Sequence, residues 1–367
     1  MKKLRIAFVG CGGIGEHYLD VYRDLDFIEV GVCIDVDGER AAQAAAHLGG
    51  GARASSSFED AVGAEIDGVV INTPNHLHRE QTLAALASGK HVLLQKPVAA
   101  KLEEAETIAQ AAAEAAARGV TAGLYLSYFD QPLMHDLRAM ATAGWFGEIA
   151  HLYARLMHRG GLALSRQIQR GEGNWRASRE QTGGGCFIQL AVHYVHLFKW
   201  MMDARVVRAT AMAANLHCPG VEGEDLACAI LEFSNGALAT LDMAWNTAGE
   251  QLSIHGTVGT CEYIGNRTLL LDSTAGAFAG RVIQYEGSGA LISPGAPGAS
   301  TALHQSTVIA PRLGDAGNPF NQHRMFWEAV REGRAPFVSI DSGVDDLRVV
   351  EAVYESARSG RAVPLSF

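Results

Sequence analysis

A glycine-rich turn near the N-terminus constrains the fold of this chain more strongly than any other feature. The sequence GCGGIG, residues 10–15, follows the short apolar run RIAFV and precedes a stretch with the pattern of a helix. This spacing of glycines between a strand and a helix is the fingerprint of a dinucleotide-binding β-α-β unit. In such a unit Gly10 permits a tight turn, Gly12 lets the backbone approach a pyrophosphate, and Gly15 allows close packing of helix on strand.

Asp35 indicates which dinucleotide the turn would bind. It ends the second predicted strand, 20 residues after Gly15. A carboxylate at this position accepts hydrogen bonds from ribose hydroxyls and repels a 2′-phosphate. No arginine follows at position 36, so the sequence favours NAD, with NADP as the weaker alternative. The competing interpretation is a glycine turn before an ordinary helix, with Asp35 as a cap.

The hydrophobic pattern changes along the chain. Strand-like and helix-like segments alternate over roughly the first 120 residues, which predicts a doubly wound parallel sheet covered on both faces. After about residue 124, longer strand-like runs follow and predict a mostly antiparallel sheet. These runs span residues 148–159, 205–215, 225–233, 237–246, 250–256, 260–265 and 267–272. Residues 286–319 are predicted as a long loop, and residues 320–332 and 342–359 as helices.

Composition narrows the class of protein. Of the 367 residues, 48% are hydrophobic and 19% charged, as expected of a soluble globular protein. The net charge of −10 disfavours nucleic acids and anionic membranes as partners. The apolar run Ile6–Val9 is shorter than a signal peptide requires, and six cysteines without a C-x-x-C pair indicate reduced thiols. We therefore expect a cytoplasmic protein with no membrane span.

A second motif raises a different question. The segment GGGCFIQLAVHYVHLFKWMM, residues 183–202, opens with three glycines and carries Gln189, His193 and His196 within an apolar run. On a helix these positions lie at i, i+4 and i+7 and share one face. Core packing, metal ligation and participation in a reaction centre are all open interpretations of that face.

Four motifs together give the chain a family resemblance. They are the glycine fingerprint, INTPNHLH at 71–78, LLQKPVA at 93–99, and the glycine-led segment that begins at 183. With them the chain resembles the Gfo/Idh/MocA oxidoreductases, which include glucose–fructose oxidoreductase and inositol 2-dehydrogenase. The resemblance spans almost the whole sequence. It implies an α/β protein with a Rossmann NAD-binding domain, residues 1–124, and an α+β domain for substrate binding and oligomerisation, residues 125–367.

The resemblance also implies an activity. Members of the family mostly oxidise or reduce one carbon of a sugar, sugar derivative or cyclitol with NAD(P), and many form dimers or tetramers. We therefore expect a dehydrogenase that transfers a hydride between nicotinamide and a secondary hydroxyl or ketone of a sugar, glycoside or cyclitol. Two alternatives stay open: redox-assisted glycoside cleavage with a retained cofactor, and a catalytically silent NAD(H)-binding regulatory protein.

Several motif positions depart from the family pattern. Gln95 replaces the usual glutamate before Lys96, whose peptide to Pro97 is often cis in relatives. In the helix motif, Gln189 and His196 replace two aspartates, whereas His193 is retained. Glutamine cannot ionise, but its amide can still orient a neighbouring group through hydrogen bonds.

These correspondences give a predicted site. His193 is the expected base, Lys96 supplies positive charge and a donor to the developing alkoxide, and Gln189 orients the substrate or the imidazole ring. The predicted cofactor contacts are Gly10, Gly12, Gly13, Ile14, Gly15, Asp35, Thr73, Pro74, Asn75, His78, Gln95 and Lys96. The predicted substrate contacts are Lys96, Tyr125, Trp175, Arg176, Gln189 and His193.

A metal site is the main competing interpretation of the helix histidines. His193 and His196 could ligate a metal together with His158, His217 or Cys218. A mononuclear site needs at least three well-placed ligands, and the helix spacing supplies only two. We therefore expect no metal.

Overall fold

The computed structural model describes residues 3–264, 268–273, 281–286 and 318–366. Contacts divide the chain into two compact units. Of the described residues, the first unit contains 3–130 and 318–347, and the second contains the remainder. The loop predicted over 286–319 lies outside the described residues except at its two ends.

A parallel sheet forms the centre of the first unit. Its strands run in the spatial order β3-β2-β1-β4-β5-β6, and every neighbouring pair is parallel. The strands are β1 Leu4–Val9, β2 Ile28–Ile34, β3 Arg53–Ser55, β4 Gly68–Ile71, β5 His91–Gln95 and β6 Ala122–Tyr125. The predicted doubly wound sheet is confirmed. The strand order reverses between β1 and β4, which creates the crevice where such sheets bind ligands.

A second sheet forms the centre of the second unit. Among the described residues it has the order β14-β13-β12-β11-β7-β10-β9-β8-β15, and only the β7–β10 pair is parallel. The strands are β7 Ile149–Met157, β8 Val206–Ala214, β9 Leu226–Phe233, β10 Leu238–Ala244, β11 Gly249–Gly256, β12 Gly259–Ile264, β13 Thr268–Ser273, β14 Arg281–Glu286 and β15 Val363–Pro364. The mostly antiparallel prediction is confirmed, although β14 and β15 had no signal in the sequence.

Helices cover the sheets within each unit. In the described residues they are α1 Leu19–Asp24, α2 Gly38–Leu48, α3 His78–Ala87, α4 Leu102–Ala116, α5 Pro132–Thr142, α6 Gly160–Gln169, α7 Arg179–Thr182, α8 Cys186–Met202, α9 Gln322–Glu332 and α10 Ile340–Ser359. Local signals explain several boundaries. The Asp37 carboxylate accepts backbone N–H groups at the start of α2, and Gly89 has a φ of +72° just after α3.

Residues 318–347 pack in the first unit, although the sequence assigned them to a domain spanning 125–367. The Leu124 N–H donates to the Val338 carbonyl at 3.0 Å. Trp327 is fully buried, and a Cβ built on Gly68 would lie 2.6 Å from its ring. The segment returns to the first sheet through contacts with residues more than 200 positions earlier, which a linear pattern does not reveal. The exact domain limits stay a prediction.

The helix α8 lies against one face of the second sheet. Along β9 the side chains alternate, with Ala227, Ala229 and Leu231 buried whereas Cys228 and Ile230 are exposed. The Cys186 thiol at the start of α8 donates to the Met243 carbonyl of β10 at 3.4 Å. Small buried residues on the strands let the helix approach the sheet closely.

Candidate active site

The glycine turn after β1 has the geometry that the fingerprint predicts. Gly10 has a φ of +85° and donates its N–H to the Ile34 carbonyl at 2.8 Å. A Cβ on Gly10 would lie 2.8 Å from the backbone of Asn72, and one on Gly15 would lie 2.0 Å from the Gly10 carbonyl oxygen. Side chains at these two positions would displace backbone, so the turn requires glycine there.

Asp35 stabilises this turn and retains capacity for a ligand. One carboxylate oxygen accepts the Cys11 N–H at 2.9 Å, and the other accepts the Asp37 N–H at 3.0 Å. A carboxylate has about four lone-pair sites, so two remain for donors such as ribose hydroxyls. The turn and Asp35 therefore suit the diphosphate and ribose of NAD.

Arg40 also lies at the glycine turn, and sequence reasoning did not identify it. Its guanidinium is 3.1 Å from the position that a Cβ on Gly12 would occupy. It pairs with Asp37 at 3.2 Å, and both side chains are largely exposed. Such a pair contributes little stability, so Arg40 is available to interact with an anion near Gly12.

The segment after β4 is joined to the segment after β5 by His78. Its Nδ1 lies 2.8 Å from the Pro97 carbonyl oxygen and its Nε2 lies 2.9 Å from the Thr73 carbonyl oxygen. The ring is fully buried, and burial lowers the pKa of His78 to about 4. Since both ring nitrogens face backbone carbonyls, the position favours support of the two loops over direct contact with a cofactor. Thr73 donates its hydroxyl hydrogen to Gln81, and Asn75 is buried.

Lys96 follows β5 at the same sheet edge as the glycine turn, since β1, β4 and β5 are parallel neighbours. Its peptide to Pro97 is cis, as the family resemblance implies. The buried Gln95 side chain accepts the Lys96 backbone N–H at 3.0 Å and approaches the Tyr18 hydroxyl at 3.4 Å. Gln95 therefore holds the backbone of Lys96 from within the unit.

Tyr125 lies in the core of the first unit rather than on a surface. It is 1% exposed and donates its hydroxyl hydrogen to Asp130 at 2.8 Å. Its ring packs against Tyr18 and His323, with centroids 4.9 Å and 4.4 Å away. This placement argues against the predicted substrate contact, because the aromatic face is already covered by protein.

The three glycines before α8 have separate structural causes. Gly183 has a φ of +86° and ends α7. A Cβ on Gly184 would lie 2.0 Å from the Tyr354 hydroxyl, and one on Gly185 would lie 2.0 Å from the Glu224 carbonyl oxygen. The motif therefore reflects close packing at the start of the helix.

Glu224 and Tyr354 cap α8. The Glu224 carboxylate accepts the Gly185 N–H at 2.9 Å and the Phe187 N–H at 2.8 Å, and its carbonyl accepts the Cys186 N–H at 2.9 Å. The Ile188 N–H donates to the Tyr354 hydroxyl at 3.2 Å, and that hydroxyl donates to Glu224 at 2.9 Å. These contacts satisfy N–H groups that a helix leaves without intrahelical partners. Burial raises the pKa of Glu224.

Gln189, His193 and His196 lie in the middle of α8, so the predicted helix is confirmed. All three side chains are buried, between 6% and 8% exposed. The cap of α8 fixes the start of the helix, and a rigid helix transmits that position to residues one and two turns later. Their catalytic or binding roles stay predictions.

Trp175 and Arg176 form a short 3-10 turn in the second unit. The Asn174 side chain accepts the Arg176 N–H at 3.0 Å, and the Arg176 guanidinium lies 4.7 Å from the Trp175 ring centroid. A cation over an aromatic face is a stable surface arrangement. Their contact with substrate stays a prediction.

The interpretation of the helix histidines as metal ligands gains no support. Within the described residues, no three or more His, Cys, Asp or Glu side chains form a group able to hold a metal ion. The His217 backbone N–H donates to Asp225, and the His158 Nδ1 accepts the Gly160 N–H. Across the same residues, every helix is too short or too polar to span a membrane.

Sequence reasoning missed several buried polar residues near these motifs. They give little local signal, because each contacts at least one residue 39 or more positions away. They are Asp130, Glu224, Gln322, His323 and Tyr354. The one signal for His323 is its spacing, because it lies three and four positions before Phe326 and Trp327 and so shares a helix face with them.

The fold and the glycine turn define a class: a dinucleotide-binding protein with a Rossmann sheet and a second α+β unit. A model of the oxidoreductase family with an NAD-binding Rossmann fold matches residues 4–124. A model of the GFO/IDH/MocA C-terminal domain matches residues 134–262. The chain belongs to the Gfo/Idh/MocA family of oxidoreductases, and the predicted resemblance and NAD-binding domain are confirmed.

Individual relatives agree with this assignment. The chain is 34% identical over 237 residues to 1,5-anhydro-D-fructose reductase of Ensifer adhaerens, covering 63% of this chain and 67% of that protein. It is 26% identical over 312 residues to scyllo-inositol 2-dehydrogenase (NADP(+)) IolW of Bacillus subtilis, covering 82% and 79%. A levoglucosan dehydrogenase solved with NADH and levoglucosan has a TM-score of 0.83 at 20% identity, with both chains covered completely. At that identity the structural likeness shows the fold.

Proposed function

We propose that the protein uses NAD to oxidise a secondary hydroxyl, or reduce the corresponding ketone, of a sugar, glycoside or cyclitol. One observation carries the proposal. The glycine turn, Asp35, Thr73 and Lys96 follow β1, β2, β4 and β5, so they lie at one edge of a parallel sheet. A primary amine at the edge that binds a dinucleotide can donate to an oxygen whose carbon reacts with the nicotinamide.

The names of relatives support the substrate class. The two relatives above are named for 1,5-anhydro-D-fructose and scyllo-inositol, and others are inositol 2-dehydrogenases from Corynebacterium glutamicum and Saccharopolyspora erythraea. These compounds share a ring with several hydroxyls and one carbon that alternates between alcohol and ketone. A ring of this kind is therefore the substrate class that we propose.

The residues of the first unit suit NAD. Gly12 allows close approach of the diphosphate, Gly15 keeps the turn packed against Gly10, and Asp35 has capacity for ribose hydroxyls. When bound, the oxidised nicotinamide supplies the acceptor for the hydrogen and electron pair that leave the carbinol carbon.

Within this proposal, His193 takes the proton of the substrate hydroxyl, and Lys96 donates a hydrogen bond to the same oxygen as it becomes a carbonyl. Gln189 lies one turn before His193 and orients the hydroxyl or the ring. The hydroxyl proton goes to the imidazole and the C–H bonding pair leaves with its hydrogen, so charge and atoms balance. Lys96 and His193 could exchange roles, since both groups can hold a proton.

A substrate panel tests the proposal. Purified protein is incubated with NAD and with anhydrosugars, aldoses, glycosides and inositol isomers, and NADH absorbance is followed in both directions. Stoichiometric NADH from one class supports the dehydrogenase. Tightly bound nicotinamide with glycoside cleavage, but without net NADH, supports the redox-assisted alternative. NADH binding without any turnover would support the regulatory alternative.

We further propose that the protein is a cytoplasmic homodimer or homotetramer that associates through the open face of the second sheet. Met212 and Ile230 lie on the neighbouring strands β8 and β9 of that face and are 82% and 50% exposed, and grouped exposed apolar side chains mark interaction surfaces. All six cysteines are free thiols, in agreement with a reducing compartment. Light scattering of the parent and of an Ile230→Lys variant tests the assembly, and a monomeric parent would contradict it.

A further inference from the structure

The orientation of the Gln95 amide is determined by its neighbours. A backbone N–H can only donate, so the Gln95 atom that lies 3.0 Å from the Lys96 nitrogen must be the carbonyl Oε1. The amide Nε2 then faces the Tyr18 hydroxyl at 3.4 Å and donates to it. Tyr18 therefore accepts from Gln95 and must direct its own hydrogen elsewhere.

Beyond Tyr18, the hydrogen bonds continue through Tyr125 to Asp130. The Tyr125 ring packs edge to face against the Tyr18 ring, with centroids 4.9 Å apart, so the Tyr125 hydroxyl is the neighbour available to accept the Tyr18 hydrogen. Tyr125 in turn donates to Asp130 Oδ2 at 2.8 Å. The other carboxylate oxygen of Asp130 accepts the Gln322 N–H at 2.8 Å. With the Tyr18 hydrogen directed to Tyr125, every donor from Gln95 onward points toward the Asp130 carboxylate.

The four side chains of this hydrogen-bond chain are buried. Gln95, Tyr18, Tyr125 and Asp130 are each 6% exposed or less. Burial raises the pKa of both tyrosines and raises the pKa of Asp130 to about 7. On this cluster Asp130 is therefore the group that can carry a negative charge near neutral pH.

Among the described residues, His323 and Tyr22 are two further titratable groups that pack on these side chains. The His323 ring centroid lies 4.3 Å from Tyr18 and 4.4 Å from Tyr125. The Trp327 N–H donates to the Tyr22 oxygen at 3.1 Å, and that oxygen lies 2.7 Å from His323 Nδ1. Burial lowers the pKa of His323 to about 3, so its ring is uncharged near neutral pH.

A count of hydrogen atoms shows how many negative charges this series of hydrogen bonds can accommodate. Three gaps separate residue 95, Tyr18, Tyr125 and Asp130, and each gap needs one hydrogen. The two tyrosines supply two, and the Gln95 amide supplies the third. With glutamate at position 95, the third hydrogen would have to be a proton bound to one of the two carboxylates.

We propose that Gln95 is a positioning residue, which fixes the peptide of Lys96 through a one-directional chain of hydrogen bonds that accommodates a single carboxylate, here at Asp130. The consequence for turnover rests on the proposed role of Lys96, whereas the hydrogen count does not depend on it. This hydrogen-bond chain explains how glutamine can occupy a position where the family typically has glutamate.

Three variants test the count. Gln95→Glu has too few hydrogens for the gaps unless it binds a proton, and Asp130→Asn has too many, because its amide also donates to Tyr125. The double variant has three again, since the new amide at position 130 donates to Tyr125, Tyr125 to Tyr18, and Tyr18 to the new carboxylate at position 95. We expect each single variant to lower the Tm by about 5 °C and the double variant to regain most of that loss.

The pH dependence of the Tm separates this chain from ordinary packing. The loss in Gln95→Glu should grow between about pH 5.5 and 9, because the required proton dissociates, and the double variant should lose that growth. In a Tyr125→Phe background the two substitutions should act independently. These measurements need no substrate, so they remain decisive if the proposed activity fails.

Turnover gives a second readout once a substrate is known. The proposal expects Gln95→Glu to lower kcat about tenfold with KM nearly unchanged, and the double variant to recover it. A double variant less stable than either single variant, or a loss in Gln95→Glu that is constant with pH, would overturn the proposal. If Gln95→Glu gives no folded protein, the double variant decides. If Asp130→Asn folds but the double variant does not, the proposal is overturned as well.

Discussion

The two units hold their polar residues in different ways. In the first unit the candidate residues follow the ends of parallel strands, and backbone contacts between neighbouring loops hold them. In the second unit they lie in the middle of α8, whose start is held by Glu224 and Tyr354. The first arrangement depends on local backbone geometry, and the second depends on side chains that arrive from distant parts of the sequence.

Glycines show the same difference. Gly15 is required because it approaches Gly10, five residues earlier in the same turn. Gly185 is required because it approaches Glu224, which is 39 residues away. A local requirement produces a recognisable motif, whereas a distant one produces a glycine whose partner stays hidden until the chain is folded.

The largest expected effect tests the proposed chemistry in each unit separately. His193→Ala and Lys96→Met should each lower kcat by about 10²–10⁴-fold, because each removes a group that holds or donates a proton in the transition state. NADH binding, followed by fluorescence, should persist in His193→Ala. Lys101→Met, a change at an exposed lysine five positions later, is the matched control and should keep full turnover. Full activity in His193→Ala would refute its role as the base.

The next effect separates the two glycines. Gly15→Ala and Gly185→Ala both put a Cβ 2.0 Å from a backbone oxygen, and each should cost about 1–3 kcal/mol of folding free energy. Gly15→Ala should also weaken NADH binding, whereas Gly185→Ala should leave it intact and lower kcat.

Two open glycines provide controls for that comparison. A Cβ at Gly38 or Gly173 would meet no atom within 4 Å, so alanine there should be neutral or slightly stabilising. Chemical denaturation and NADH titration of the four variants give the result. Equal loss of NADH binding in Gly15→Ala and Gly185→Ala would contradict the separate roles of the units.

The cap of α8 should have a moderate effect. Glu224→Ala removes the acceptor for the Gly185 and Phe187 N–H groups and should destabilise the protein by about 2–3 kcal/mol. Glu224→Gln retains one carbonyl oxygen and should lose less. Hydrogen exchange at the first turn of α8 measures the effect directly, and unchanged protection in Glu224→Ala would contradict the capping role.

Glu224 also makes the stability of the second unit depend on pH. Because its pKa is raised in the folded state, the folded protein retains the proton longer than the unfolded chain. Stability therefore falls as pH rises from the unfolded pKa toward the folded one. Measurement of unfolding free energy against pH for the parent and for Glu224→Gln checks this. The fall in stability should be absent in the variant.

The smallest expected effect is a loss of stability of the first unit as pH is lowered, in contrast to the loss that Glu224 causes in the second unit as pH rises. His323 is neutral in the folded core with a pKa of about 3, whereas an unfolded histidine titrates near about 6.5. Its contribution is complete above about pH 6.5 and decreases as pH falls, by about 2 kcal/mol at pH 5. His78 has the same sign, and Asp130 has the opposite one.

The effects of these groups on stability have opposite pH dependence and partly cancel in the parent. The useful measurement is therefore the difference in unfolding free energy between the parent and a variant at each pH. The stability of His323→Phe relative to the parent should rise as pH is lowered from about 7 to about 5, as shown by denaturant titration at each pH. A difference that does not change with pH would contradict the assignment of a buried neutral imidazole.

Much of the fold follows from the sequence. The alternation of strands and helices, the turn GCGGIG and the cap of α2 are local, so they predict the first sheet and its binding edge. The start of α3 at His78 and the glycine that ends it are also local features. What the pattern did not predict is that residues 318–347 return to the first unit, or that β7 pairs in parallel with β10.

The sequence by itself therefore determined the class of sheet, the dinucleotide turn and the family, because the physical requirements behind them involve residues a few positions apart. Tertiary structure decided why Gln95 can replace glutamate, why Tyr125 is core and why three glycines precede α8. Those answers depend on Asp130, His323, Glu224 and Tyr354, whose effects act through space in a low-dielectric interior. The hydrogen bond between Ile188 and Tyr354 joins residues 166 positions apart, and a contact of that kind leaves no periodicity in a single sequence.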